Sequence, residues 1–223
     1  MTKSNNHLKI LLALMVLPFF IFTGCLKEGD DTIVLPLPYG KIPYDVIPEH
    51  IQDSLSAHGF VIHEGVTPPN IEGKYVASPM DMQYASDEYF NPNFRYLYMA
   101  FSGQHRRGKI NYSQLQHDTI FLNDQQFNDA VGEASRAHVI GEGDDFTMYC
   151  IQTIYAQDSS WKCETASVVS GTSTRAGIKD CQYAQYLIKA EGNLERIPEL
   201  GTYRIWNDGD NLALVFHPTP TAR

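Results

Sequence analysis

The chain has 223 residues, with 17 basic and 26 acidic side chains and a formal net charge of −9. That length supports one sizeable core, while the acidic balance excludes a nucleic-acid binder, which must neutralise phosphates with Lys and Arg. Its 13 tyrosines and 11 phenylalanines, with 19% charged residues, exclude a disordered chain and point to a β-rich one.

At the N-terminus, Lys3 and Lys9 precede an apolar run from Ile10 to Phe22 that only Pro18 interrupts. The run is shorter than the roughly 20 apolar residues of a membrane-spanning helix. A basic segment, a short apolar stretch and small residues at its end form the layout of a secretory signal. Phe22-Thr23-Gly24-Cys25 resembles the lipobox of bacterial lipoproteins. The resemblance implies that residues 1–24 are removed and that Cys25 becomes the lipid-bearing first residue. Leu26-Lys27-Glu28-Gly29-Asp30-Asp31 is similar to the acidic tag that sends some lipoproteins of Gram-negative gut anaerobes to the cell surface. It implies an outer-membrane address, with the cell surface favoured over the periplasmic face. Residues 25–46 form an acidic, proline-rich tether, since from Thr32 to Pro48 the prolines at 36, 38, 43 and 48 stop a helix from propagating.

Pro48 suits the first turn of a helix running to about His58, with Gly59 as its stop. Ile47, Ile51 and Leu55 fall four apart on one stripe. So short a helix is marginal alone and must dock on something. Phe60 to His63 follows as a short strand or docking segment, closed by Gly65 and Pro68-Pro69.

From Ile71 the pattern changes to period two. Strands are expected near 72–78, 94–103, 108–114, 131–140, 145–156, 161–170, 177–189, 201–206 and 211–216. Residues 115–130 are ambiguous: His117 to Leu122 reads as strand, and Asp124 to Ala130 as a helical turn or a loop. Asp208-Gly209 gives the strongest hairpin signal. No helical pattern separates the strands, which excludes a parallel sheet. Consecutive antiparallel strands need hidden edges, and closing the sheet into an up-and-down barrel of about eight strands hides them. Ile71-Glu72-Gly73-Lys74-Tyr75, just after a helix, resembles the Gly-x-aromatic opening strand of lipocalin-like (calycin) barrels. That implies a lipocalin-like barrel domain over 47–217, helix included, with 218–223 as a tail. Pro68 to Gly73, Val169 to Thr172 and Gly201 to Arg204 also resemble a group of exported lipoproteins, which implies fold and address but no activity.

GxSxG, HExxH and P-loop patterns are absent, so the expectation is a non-catalytic protein without a cofactor. Asn207 to Asn211 lacks the alternating ligands and closing Glu of an EF-hand loop, and no metal site is expected. His63-Glu64 and His117-Asp118 place an acid beside a histidine, but neighbours on a strand point to opposite faces. Besides Cys25 the chain has Cys150, Cys163 and Cys181, with no CxxC pair. A hairpin turning at 157–160 sets Cys150 opposite about Ser167 and Cys163 opposite about Ile154. Cys150 and Cys181 then flank Ser167, two strand spacings apart, so no pair reaches bridging distance.

On Phe94–Phe101 and Phe146–Tyr155 both faces are largely apolar or aromatic, more than one solvated face allows. Either the helix and N-terminal segment cover the outside, or an aromatic patch or lumen receives a partner. Two functions follow. One is a lipid-anchored surface or periplasmic binding and interaction module for a protein or glycan partner. The other is a lipocalin-like carrier of a small apolar or glycan-derived ligand. The C-terminal strand bears on the choice: Tyr203 and Ile205 facing inward fill the lumen, whereas Arg204 and Trp206 facing inward make a ligand floor. The simpler apolar core favours Tyr203 and Ile205 inward.

Overall fold

The computed structural model describes residues 40–87, 93–94, 96–105, 108–117, 130–156, 159–192 and 199–216. Cys25, the signal-like segment, the first part of the tether, residues 118–129 and the tail from His217 lie outside them.

The one helix among the described residues, α1, spans Glu49–Ala57, with Pro48 before it and Gly59 at φ +87 just after it. The strands are β1 (Val66–Thr67), β2 (Gly73–Ala77), β3 (Met80–Ala85), β4 (Asn93–Phe94), β5 (Tyr96–Ser102) and β6 (Lys109–His117). They continue with β7 (Ala130–Glu142), β8 (Asp145–Ala156), β9 (Trp161–Ser173), β10 (Gly177–Gly192), β11 (Tyr203–Asp208) and β12 (Leu212–Val215). β3 was not expected from the sequence. It continues β2 beyond Ser78-Pro79, and β4 with β5 lies along the same edge, β4 on β3 and β5 on β2.

β11 and β12 do not form the hairpin that Asp208-Gly209 suggests. Both lie antiparallel to β10, with Asn207 opposite Gln182 and Leu212 opposite Lys179. On their other side Asp208 faces Met80 and Leu214 faces Val76. They are therefore two halves of one strand, interrupted at Gly209 to Asn211. Asn211 sits at φ +61, so the positive φ that an Asp-Gly hairpin needs is consumed by a bulge instead. With these halves joined, the main strands form an antiparallel up-and-down ring of eight. The path β2, β5, β6, β7, β8, β9, β10 closes through β12 back onto β2.

Alternation then sorts the side chains. Tyr75, Met99, Phe101, Tyr112, Phe146, Met148, Ile178, Tyr183 and Trp206 share one interior core. A second cluster lies on the outside, where Ile42, Ile47, Ile51, Leu55 and Phe60 pack against Ile140, Tyr149, Val168, Ala184 and Ile205. Thus α1 covers the apolar outer faces of β7 to β11 through the stripe read from the sequence. The docked part begins before it, because Ile42 is fully buried and Gln52 Nε2 donates to its carbonyl at 3.1 Å.

Phe60 N–H donates to the Leu55 carbonyl, but residues 61–63 add no strand and their backbone groups find side-chain partners. Val61 N–H donates to Gln182 Oε1 at 2.7 Å, Ser170 Oγ donates to the Val61 carbonyl at 2.5 Å, and His63 N–H donates to Thr147 Oγ1 at 2.8 Å. Further on, β1 pairs in parallel with β7, and Gly65 is held between Gly40 and Gly141. A Cβ on Gly65, at φ +143, would lie 2.4 Å from the Gly141 carbonyl oxygen. Gly65→Ala is therefore expected to destabilise the protein by about 1–3 kcal/mol through strain and backbone displacement. An unchanged urea midpoint would show that this segment is outside the cooperative fold.

Candidate ligand site inside the barrel

The interior is not uniformly apolar. A belt of polar side chains crosses it, centred on the Tyr183 hydroxyl. Gln114 Nε2 from β6 donates to that oxygen at 2.9 Å, and Gln152 Nε2 from β8 lies at 3.5 Å. Ser167 Oγ from β9 is 3.4 Å away, and Gln185 Nε2 from β10 also donates to the phenol oxygen. Tyr112 donates to Gln114 Oε1 at 2.7 Å, Gln152 Nε2 donates to Ser167 Oγ, and Thr165 Oγ1 lies 3.2 Å from Ser167 Oγ. Four strands thus reach one phenol inside the ring. Burial, as the largest effect, pushes the Tyr183 phenol well above its ordinary pKa and keeps it a neutral donor and acceptor.

A phenol oxygen accepts two hydrogen bonds and donates one, so it cannot match three amide groups that all donate. Gln152 resolves the conflict incompletely. Its Oε1 is buried without a hydrogen-bond partner. Turning the amide over would let Oε1 accept the phenol proton but would leave the NH2 in the unpartnered position. Either way one end of a fully buried amide stays unmatched, at a typical cost of about 1–3 kcal/mol.

On one side of this belt lies the tightly packed apolar core. On the other lie Ile154, Cys163 and Leu187, with partly buried Trp161. Solvent reaches this second side, because Gln185 is partly exposed although it shares an inward face with Tyr183. Arg204 and Trp206 follow the same face: Arg204 pairs with Gln185 in register and Trp206 with Tyr183. The expectation that Tyr203 and Ile205 fill the lumen is overturned. Ile205 belongs to the outer cluster beneath α1, and Tyr203 stacks outside on Tyr84, ring centroids 5.5 Å apart. The apolar outer face had to be filled as well, and Ile205 is taken by it. Inside, Trp206 stacks on Tyr183 at 5.5 Å, and Arg204 Nη2 donates to Asp87 Oδ2 at 2.7 Å. Belt, indole and ion pair make a hydrogen-bonding floor with one aromatic plane and one paired cation.

The other residues singled out from the sequence do not assemble. His63 lies on the outside, and the stretch from Asn207 to Asn211 runs from the end of β11 into the bulge at Gly209 to Asn211. Among the described residues no group of three or more His, Cys, Asp or Glu side chains could hold a metal ion. Cys150, Cys163 and Cys181 are buried free thiols. Cys150 faces Ser167 and Cys163 faces Ile154, as the hairpin spacing requires. Cys181 departs from expectation: it falls in the bulge between Lys179 and Gln182, and Ser167 faces Gln185 instead. Burial pushes the Cys163 thiol up to about 11, so it is not a ready nucleophile at neutral pH. What sequence reasoning missed is the belt, whose one visible signal was Gln152 within the apolar stripe Phe146, Met148, Cys150, Ile154. Comparison of the chain with protein-family models, with curated proteins and with solved structures found no match.

Proposed function

We propose that this chain is an outer-membrane lipoprotein anchored through Cys25, and that its barrel is a non-catalytic binding module for a small polar ligand. The observation that carries the ligand site is the buried Gln152 amide with one end unmatched, in a polar belt that solvent approaches from the Gln185 side. The interior beyond the belt argues against a carrier of a large apolar molecule. Phe146, Met148, Met99 and Ile178 are fully buried there, and such a ligand would have to displace them. A donor- or acceptor-bearing molecule resting on Tyr183, Gln152 and Gln185 instead satisfies a group that is otherwise costly to bury.

Tryptophan fluorescence tests this. With Trp161→Phe leaving Trp206 as the reporter, soluble glycan fragments and haem-like compounds are titrated beside long-chain fatty acids. The expected result is a saturable change with a polar ligand that Gln152→Leu abolishes. Saturation by fatty acids alone, or a response indifferent to Gln152→Leu, overturns the interior site. The anchor is tested separately: Cys25→Ala is expected to move the protein from the membrane fraction to the soluble one. Wild-type protein found soluble with an unmodified Cys25 sinks the lipoprotein assignment.

A second reading, a docking module for another surface protein, draws on the outer face of β12, β2 and β5. There Leu214, Val76 and Tyr98 stand in one cross-strand row, and Phe216 packs edge-on against Tyr98 with centroids 5.7 Å apart. Leu214 is 49% exposed and Phe216 39%, so this face is less covered than the one under α1.

A further inference from the structure

Outside the barrel, on the face opposite to Asp208, three irregularities lie side by side. β10 bulges between Lys179 and Gln182, the β11–β12 strand bulges at Gly209 to Asn211, and the docking segment passes at Val61 to His63. Between them is a pocket of 320 Å³ whose polar lining is His63, Thr172, Asp180, Gln182, Asn207 and Asn211. Its volume lies at the small end of ligand pockets, the size of one sugar ring rather than a chain.

Two of these residues hold left-handed backbone conformations. Asp180 has φ +51 and Asn211 φ +61, and they are joined through Asp180 N–H donating to the Asn211 carbonyl at 2.9 Å. Asp and Asn are the side chains that tolerate these angles best, and here the angles turn both residues toward the pocket mouth. The bulge accounts for Asn211, whose N–H donates to the Asp208 carbonyl at 3.0 Å while Asp210 Oδ1 accepts from Leu212 N–H. Both side chains stand exposed at the pocket mouth: among the described residues the Asn211 amide makes no hydrogen bond, and Asp180 meets Lys179 at 3.5 Å.

The chemistry of the lining narrows the ligand. Gln182 is spent on Val61, Gly59 and Asn207, and Thr172 Oγ1 donates to Asp145 at 2.6 Å. What is left for a ligand is the His63 ring, the Asn207 NH2, the Asn211 amide and the Asp180 carboxylate. This set both donates and accepts. An ammonium would leave the donors unmatched, and a phosphate would meet the Asp180 charge on a chain of net charge −9. Neighbouring hydroxyl groups donate and accept at once and match all four.

We infer that this outer pocket is a second binding site, independent of the interior belt, for a neutral polyhydroxylated molecule of monosaccharide size held by Asp180, Asn207, Asn211 and His63. Because Asp180 and Asn211 sit at positive φ, Asp180→Gly and Asn211→Gly remove the side chains while easing the backbone, so both variants keep the fold. Isothermal titration of the full-length chain in detergent, with glucose and N-acetylglucosamine as probes, tests the site beside ethanolamine and inorganic phosphate. The expected result is saturable binding of a sugar, weakened about tenfold or more in each glycine variant, with melting temperatures equal to or above wild type. Gln152→Leu should leave this binding unchanged, which separates the pocket from the interior site. No saturation by either sugar at about 50 mM, wild-type affinity in both glycine variants, preference for ethanolamine or phosphate, or loss of binding in Gln152→Leu would each overturn it.

Discussion

Ile51→Ala and Leu55→Ala are each expected to lower the free energy of unfolding by about 2–5 kcal/mol. A nine-residue helix is too short to be stable on its own, so α1 exists because its stripe is buried on the barrel. Ile51 is 5% exposed and Leu55 1%, and both belong to the cluster that includes Ile140, Tyr149, Val168 and Ile205. Truncating either leaves a cavity between helix and sheet that rigid strands cannot collapse to fill. The loss should spread, because Gln52 ties the preceding segment at the Ile42 and Ile47 carbonyls and Gln182 holds the following one. Asp53→Ala, on the exposed side of α1, should change stability by no more than about 0.5 kcal/mol. Equilibrium urea unfolding measures all three. If the two core variants unfold at the wild-type midpoint, the helix is a free tether element and the outer apolar face of β7 to β11 is not a core.

The second large effect is a pH dependence centred on Asp208. This carboxyl stands where two strand interruptions meet. Its Oδ1 accepts the Ser78 N–H at 3.0 Å, while Gly209 N–H donates to the Pro79 carbonyl at 2.7 Å. Oδ2 is buried, with Asp210 beside the carboxyl. Burial first, and the Asp210 carboxylate second, push the Asp208 carboxyl up to about 7. The folded protein therefore holds this proton at pH values where the unfolded chain has released it. Between about pH 4 and pH 7 the folded state binds more protons than the unfolded one, so the group's contribution to stability falls as pH rises through that window. The full shift corresponds to about 4 kcal/mol, and solvent near the bulge reduces the effect to about half of that. Asp208→Asn keeps an acceptor for Ser78 and cannot ionise. Its stability relative to wild type should rise by about 2 kcal/mol between pH 4 and pH 8. Urea midpoints of both proteins at the two pH values decide it. Parallel profiles would mean that Asp208 is ionised and solvated in the folded state.

The cysteines show how far strand spacing carries. A two-strand hairpin counted from its turn placed Cys150 opposite Ser167 and Cys163 opposite Ile154, and both pairings hold. The same counting failed one strand further on, because a bulge between Lys179 and Gln182 adds residues that no alternation announces. Asp208-Gly209 misled for a related reason. The residue types that make a tight turn also make a bulge, and the choice depends on which strands stand on either side. Gln114, Gln185 and Ser167 were illegible as a site, since they come from separate strands and meet only once the ring has closed.

By itself, the sequence determined the β class, the docking helix with its stripe of Ile47, Ile51 and Leu55, and the ring of about eight antiparallel strands. Period-two alternation and a single 3.6-period stretch are local properties, and hiding the edges leaves few ways to arrange them. Only the tertiary structure decided which face of β11 looks inward. Arg204 and Trp206 alternate with Tyr203 and Ile205, and each face offers comparable apolar surface, so alternation separates the faces without orienting them. The N-terminal segment settled it by needing Ile205 on the outside, and Trp206 with Arg204 was thereby turned into the barrel beside Tyr183.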